Sequence, residues 1–275
     1  MTAAVDLPTP TLSGRPPARS GGARAMVLRN VMIYRHTWPL LAAEVFEPVL
    51  YLVSFGIGIG ALVGHVPGTA GTGEGAVRYP QFVAPALLAT AAMNGAMNET
   101  TFNMFGKLRT DRTYESILTT PMTVWDVALG ETCWALLRGA LVTAGFLLVV
   151  LALGLVGSAW ALLVLPSALL IGFAFASLGL LVVTLLRNWQ DFQLIQLVML
   201  PMFLFATTFY PLGVYPRPVQ LLVECLPLYQ SIELLRQPFL GQVGPALLVP
   251  AAYLLVFGTA SLAVALRRLE TTLRG

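Results

Sequence analysis

From Gly139 to Leu186 the chain runs 48 residues without a charged side chain. As one α-helix it would be about 72 Å long at 1.5 Å per residue, against about 30 Å of hydrocarbon in a bilayer. The stretch therefore predicts two membrane-crossing helices back to back, with Gly154, Gly157 and Ser158 marking the turn between them. Composition agrees: 57% of residues are hydrophobic and 11% charged, whereas a soluble domain carries about 25% charged residues. The mean hydropathy is +0.77. These features predict an all-α integral membrane protein.

Further apolar runs bring the expected number of transmembrane helices to six, over about residues 40–63, 81–105, 136–156, 160–186, 192–213 and 245–266. Lys and Arg set the orientation. With both termini on one side, that side collects Arg15, Arg19, Arg24, Arg29 and Arg35, then Lys107, Arg109, Arg112 and Arg187, then Arg267, Arg268 and Arg274. The other side collects only Arg78, Arg217 and Arg236. Both termini are thus expected in the cytoplasm. A net charge of +3 could suit nucleic acid, but this placement of the basic residues points to a bilayer and its lipids instead.

Residues 1–24, rich in Pro, Gly, Ala and Arg, lack the apolar core of a cleaved signal peptide and predict a disordered cytosolic tail. A membrane domain is expected over 25–275. From Ala25 to Trp38, Met26, Leu28, Val31, Met32 and Ile33 interleave with Arg29, Arg35 and His36. Two readings fit: an amphipathic helix lying at the membrane surface, or a positively charged flank of the first span. Cys133 and Cys225 lie in no metal-like spacing and read as inert side chains on apolar faces.

The densest charge in the middle of the chain is GKLRTDRTYESILTTPMT, residues 106–123, on the cytosolic side of the predicted topology. Thr110 or Asp111 can cap a helix, Tyr114, Ile117 and Leu118 share one apolar face, and Pro121 stops it. On spacing alone, a short helix and a solvated loop with one helical turn both remain open. His36 and His65 are the histidines of the chain, and no HExxH, GxSxG or GxxxxGK[ST] pattern occurs. No catalytic residue, metal ligand or cofactor site is expected, so uphill movement of a solute would draw on a partner or an ion gradient.

Charges at membrane depth point to function because each costs about 2.5–3.5 kcal/mol at a helix centre. Glu44 and Glu47 near the start of the first span, and Glu131 and Arg138 near the start of the third, are expected to snorkel to the interface. Glu99 lies deeper and, with Asn94, Asn98 and Asn103, suits either a polar pathway or hydrogen bonding between helices. Gln193 and Gln196 pose the same choice. Met93, Met97, Phe102, Met199, Met202, Phe203 and Phe205 would suit amphipathic or lipid-linked cargo. Between the last two spans, YPLGVYPRPVQLLVECLPLYQSIELLRQPFLG predicts two short helices broken at Pro227 that dip into the outer leaflet and return.

The cytosolic TDRTYESILTTPMTVWDVALGE and the outer FYPLGVYP…LPLYQSIELLR make the chain resemble the ABC-2 type permease family. Within that family it looks most like nodulation-factor type lipo-oligosaccharide exporter permeases and daunorubicin-type drug exporter permeases. The resemblance covers the chain after residue 25 and implies a non-catalytic permease subunit in a bacterial plasma or inner membrane. It further implies a second permease, usually an identical copy, and two separate ATPase subunits that carry ATP and Mg. By the same resemblance residues 110–120 form a coupling helix that docks into the ATPase, with Arg109, Arg112 and Glu115 as polar contacts and Tyr114, Ile117 and Leu118 as anchors. It makes 25–38 an interfacial connecting helix and spans two and five the pathway lining, with Asn94, Asn98, Glu99, Gln193, Gln196, Met199 and Phe203 as its candidates. The tail before residue 25 has no counterpart in the resemblance. An ion-driven secondary transporter and a non-transporting scaffold for an ATPase are the other two readings the residues allow.

Overall fold

The structure, a computed structural model, describes residues 21–35, 38–66, 77–111, 113–156 and 158–274, without the side chains of Trp38, Leu40, Glu115, Leu118 and 272–274. Most of the tail expected over 1–24 therefore lies outside the described residues, as do His36, Arg112 and Gly157. Among the described residues the α-helices are, in order, α1 Gly22–Tyr34, α2 Trp38–Val63, α3 Tyr79–Asn98, α4 Thr113–Leu118, α5 Val124–Ala152, α6 Val164–Val183, α7 Phe192–Phe205, α8 Arg217–Glu224, α9 Pro227–Phe239 and α10 Leu248–Arg274. One departure from all-α is a two-residue antiparallel ladder after α2. It pairs β1, His65–Val66, with β2, Val77–Arg78, in the register His65 to Arg78 and Val66 to Val77.

Among the described residues four segments are long and apolar enough to cross a membrane: Leu41–Val63, Val124–Ala152, Ala159–Val183 and Pro245–Thr271. The helices at the other two expected spans differ for physical reasons. α7 ends at Phe205, eight residues before the expected boundary at 213, and at 14 residues it is about 21 Å long. Thr207 takes φ +61°, a left-handed turn that closes the helix, and the Thr208 hydroxyl donates back to the Phe203 carbonyl at 2.9 Å. α3 is rich in small and polar residues and does not stop at 105. It runs on through two π-helical turns, Glu99–Asn103 and Gly106–Thr110, into the charged stretch. Such turns collect at functional sites.

The third expected span, 136–156, is also displaced. α5 starts twelve residues earlier, at Val124, on a capping box in which Thr123 and Asp126 satisfy each other's backbone donors. Glu131 and Arg138, which read as interfacial in the sequence, both lie within this helix, with Asp126 in its first turn. α1 likewise begins at Gly22, ahead of the expected 25, and ends at Tyr34. α4 is a six-residue helix; the Thr119 and Thr120 hydroxyls donate to the Ser116 and Ile117 carbonyls before Pro121.

α3 is the hub, packing against α2, α5, α6 and α9, while α6 also carries α10. Its Ala-rich surface, with Ala84, Ala86, Ala89, Ala92 and Ala96 buried, lets neighbouring backbones approach, as small residues do between membrane helices. At Gly179 of α6 an added Cβ would sit 2.0 Å from the Thr100 Oγ1, so the first π turn of the α3 extension packs directly on α6. One apolar cluster fills the bundle from Leu52 to Leu254. A second, with Met26, Phe105, Tyr114, Val127 and Leu266, closes the end nearest α4. By contrast no residue of α7 is buried.

Candidate functional site

Five elements converge on one polar cluster inside the α4 end of the bundle. α1 supplies Asn30 and Tyr34, α2 Glu44, the α3 extension Glu99, Asn103 and Lys107, α4 Tyr114, and α5 Glu131 and Arg138. Glu99, Asn103 and Lys107 share one face because they recur every fourth residue. Gly130 brings α1 in: a Cβ there would lie 2.4 Å from the Met26 Cβ, so only glycine allows α1 and α5 this close. Asn30, one turn after Met26, then reaches Glu131, the residue after Gly130.

The cluster has two centres. Around Glu131, the Lys107 Nζ donates to both carboxylate oxygens at 3.0 and 2.9 Å, the Tyr114 hydroxyl donates to Oε1 at 2.9 Å and the Asn30 amide donates to Oε2 at 3.1 Å. Around Arg138, one guanidinium nitrogen donates to the Glu99 Oε2 and the other to the Glu44 Oε1. The Asn103 amide donates to the Glu99 Oε2 at 2.7 Å and to the Tyr34 hydroxyl at 2.9 Å, and the Tyr34 hydroxyl donates to the Glu99 Oε2 at 3.3 Å. The Arg138 Cζ lies 5.1 Å from the centre of the Tyr34 ring. Lys107 links the centres, its Nζ 3.9 Å from the Glu99 Oε1.

Glu99 and Glu131 are 0% exposed and Arg138 is 8% exposed. Snorkelling to the interface is therefore corrected for Glu131 and Arg138: each is held inside by opposite charge, the condition under which a buried ion is tolerated. Glu47 is exposed, and Glu44 is half-buried. Burial, then the Glu131 charge, holds the Tyr114 hydroxyl well above its ordinary pKa. Burial, then Glu99, pushes Tyr34 up to about 12. Both phenols keep their protons and remain donors at neutral pH.

Beside the cluster, α2, α3 and α7 enclose a groove of about 290 Å³. Glu44 and Glu47 stand on its wall with Asn94, Asn98, Gln196, Met199 and Phe203. Five of the seven pathway candidates thus share one groove. Gln193 is exposed and lines neither this groove nor the larger one described below. Glu99 is not among the lining residues; it faces Arg138. Among the coupling candidates, Tyr114 is fully buried, Ile117 packs on the second apolar cluster and Arg109 is exposed. Arg112 and the side chains of Glu115 and Leu118 lie outside the described residues.

Sequence reasoning passed over Asn30, Tyr34 and the joining role of Lys107. The available signals were the seven-residue spacing of Glu131 and Arg138 and the fourfold spacing of Glu99, Asn103 and Lys107. Among the described residues no group of His, Cys, Asp and Glu is arranged to hold a metal. A larger apolar groove of about 1000 Å³ opens between α6, α7 and α8, floored by Phe175, Met202, Phe205 and Leu222.

Helices of this length and apolarity around a buried ion cluster define a multi-pass membrane protein. Residues 22–240 match the family described as ABC-2 type transporter, and the chain belongs to that family. It is 36% identical over 197 residues to Nodulation protein J of Rhizobium leguminosarum bv. viciae, covering 71% of this chain and 73% of the relative. Against Nodulation protein J of Sinorhizobium fredii it is 33% identical over 243 residues, 88% of this chain and 90% of the relative. Against that of Bradyrhizobium diazoefficiens it is 32% identical over 259 residues, 92% and 96% of the two chains.

Proposed function

We propose that this chain is the permease subunit of an ATP-driven exporter that carries an amphipathic or lipid-linked compound, a lipo-oligosaccharide or a drug, out of the bacterial cytoplasm. The observation that carries the reading is the attachment of α4 to the bundle. Its Tyr114 is buried at 0% exposure and bonded to Glu131, so force applied to this short helix reaches α5 without slack. A helix of six residues does not persist alone in water; packing stabilises this one. With the family membership, that supports α4 as the handle of two copies of a separate ATPase subunit, which hold ATP and Mg.

The remaining architecture follows. The chain crosses the membrane six times with cytosolic termini, α3 and α7 being the two crossings that depend on protein neighbours. α1 lies at the interface, its Leu28, Met32 and Ile33 exposed to lipid while Met26 and Asn30 face α5. α8 and α9 form a re-entrant pair at the outer side. The absence of any buried residue in α7 supports a second permease copy against it. The test is reconstitution with the ATPase in liposomes and a fluorescent N-acylated oligosaccharide. Movement that requires ATP on the α4 side is expected; movement driven by a proton or sodium gradient without ATP would replace this reading with a secondary transporter.

A further inference from the structure

Glu44 belongs to both parts of the site: its carboxylate bonds Arg138 through Oε1, and it lines the α2–α3–α7 groove. Its other oxygen, Oε2, is shielded from solvent and has no hydrogen-bond partner among the described residues. Among the described residues, Glu44, Glu99 and Glu131 form their ion pairs with two cations, Lys107 and Arg138. A carboxylate oxygen shielded from water without a donor is costly, and here it belongs to a groove-lining residue.

We propose that the groove takes an amphiphile whose headgroup donates hydrogen bonds to Glu44, an ammonium or hydroxyl class, and that this contact is reported through Arg138, Glu99, Lys107 and Glu131 to Tyr114 on α4. The inference deepens the exporter reading and rests on it for the role of α4. The chain of contacts is continuous. A donor on Glu44 competes with Arg138 for its carboxylate; Arg138 then turns more fully to Glu99. Glu99 in turn releases its long 3.9 Å contact with Lys107, and Lys107 commits to Glu131, the residue that holds α4. The two arrangements are Arg138 shared between Glu44 and Glu99, and Arg138 held by Glu99 alone. A ligand that prefers one arrangement shifts the other end. Arg138, Lys107 and Tyr114 are positioning residues in this scheme; Glu44 touches the ligand.

The test has two arms with hexadecylamine as the probe and hexadecyltrimethylammonium, equal in charge but without a donor, as its control. In the chain alone in nanodiscs, hexadecylamine is expected to change hydrogen exchange at residues 113–118, and the control is not. Tyr114→Phe, which lies away from the groove, should bind hexadecylamine as the unaltered chain does while losing that response; Glu44→Ala should lose both. In the complex with its ATPase, the ratio of ATP hydrolysis with and without hexadecylamine should be about fivefold or more, the lower end of ordinary allosteric coupling, and near one in either variant. A Tyr114→Phe variant that keeps the response, or equal responses to both probes, overturns the relay. A wild-type complex that responds yet moves the fluorescent N-acylated oligosaccharide on a proton or sodium gradient without ATP overturns the exporter reading and leaves the relay standing.

Discussion

Among the described residues two arginines are buried, one at each end of the bundle, and they are held in different ways. Arg138 on α5 bonds carboxylates on α2 and on the α3 extension and lies against Tyr34 of α1. Its partners are 94, 39 and 104 residues away in the chain. Arg236 on α9 bonds Glu233, three residues back on its own helix, at 3.0 Å and the Thr207 carbonyl at 2.8 Å, and stacks on Phe82 with its Cζ 4.0 Å from the ring centre. The first is a junction between elements far apart in sequence. The second is a pin that fastens the α8–α9 segment to the end of α7 and to α3. A junction that ties four elements can pass displacement between them, whereas a pin holds one segment still.

The largest expected effect comes from breaking the junction. Arg138→Met leaves Glu99, at 0% exposure, without its guanidinium, and losing one partner of a buried ion pair costs about 3–5 kcal/mol. Detergent-stable protein on size exclusion should fall sharply, and Glu99→Gln in the same chain should restore much of it by removing the orphaned charge. Wild-type yield from Arg138→Met alone would mean the junction is not structural.

The pin should cost less. Arg236→Met removes the hydrogen bonds to Glu233 and Thr207 but keeps an apolar side chain on Phe82, and the Glu233 side chain, 18% exposed, has access to the surface. Bonds to charged groups contribute about 1.5–3 kcal/mol. Hydrogen exchange should rise over residues 217–239 and stay unchanged over 113–118. Equal loosening of both ends would erase the distinction between junction and pin.

The two ends differ in the same way in what sequence alone reveals. The segment between α7 and α10 was legible: Pro227 broke the apolar pattern, and α8 ends before it while α9 starts at it, because a proline that opens a helix acts locally. The junction was only half legible. Glu131 and Arg138 showed a shared face, and Tyr114 with Ile117 showed an anchoring one. But the sequence placed both charges at the interface, since nothing in a linear pattern tells that Glu99, 32 residues before Glu131, extends into the same space on π-helical turns. Tyr34 and Asn30 gave no signal, because a polar residue on a surface helix looks solvated until Gly130 shows how closely that helix docks. The length of α7 was misread for the related reason that Thr207, an ordinary residue in sequence, takes a left-handed turn.

Gly130 offers an intermediate perturbation that touches the junction without altering a charge. Ala at this position would bring its Cβ to 2.4 Å from the Met26 Cβ and 3.2 Å from the Ala23 carbonyl, so α1 must retreat; overpacking of this kind costs about 1–3 kcal/mol. Withdrawal carries Asn30 from Glu131 and Tyr34 from Glu99. Exchange should rise over residues 22–34 first, with 217–239 unaffected. If only 217–239 responded, α1 would not be part of the junction.

The smallest expected effect is that of Tyr114→Phe. Glu131 keeps the paired donors of Lys107 and the amide of Asn30, so no charge is orphaned, and the lost hydroxyl bond costs about 1.5 kcal/mol at neutral pH, the low end for a bond to a charged group. Its signature is in the pH dependence. Burial and Glu131 raise the Tyr114 pKa in the folded chain above the ordinary 10.0, so the neutral phenol favours folding. That contribution is complete below about pH 10 and is lost as pH rises toward the raised folded value, because the unfolded chain ionises first. Thermal stability of the unaltered chain should therefore decline more steeply above about pH 10 than that of the variant, in which the phenol is gone. Parallel declines would show that the Tyr114 hydroxyl does not face Glu131, and would detach α4 from the junction that Arg236 never shared.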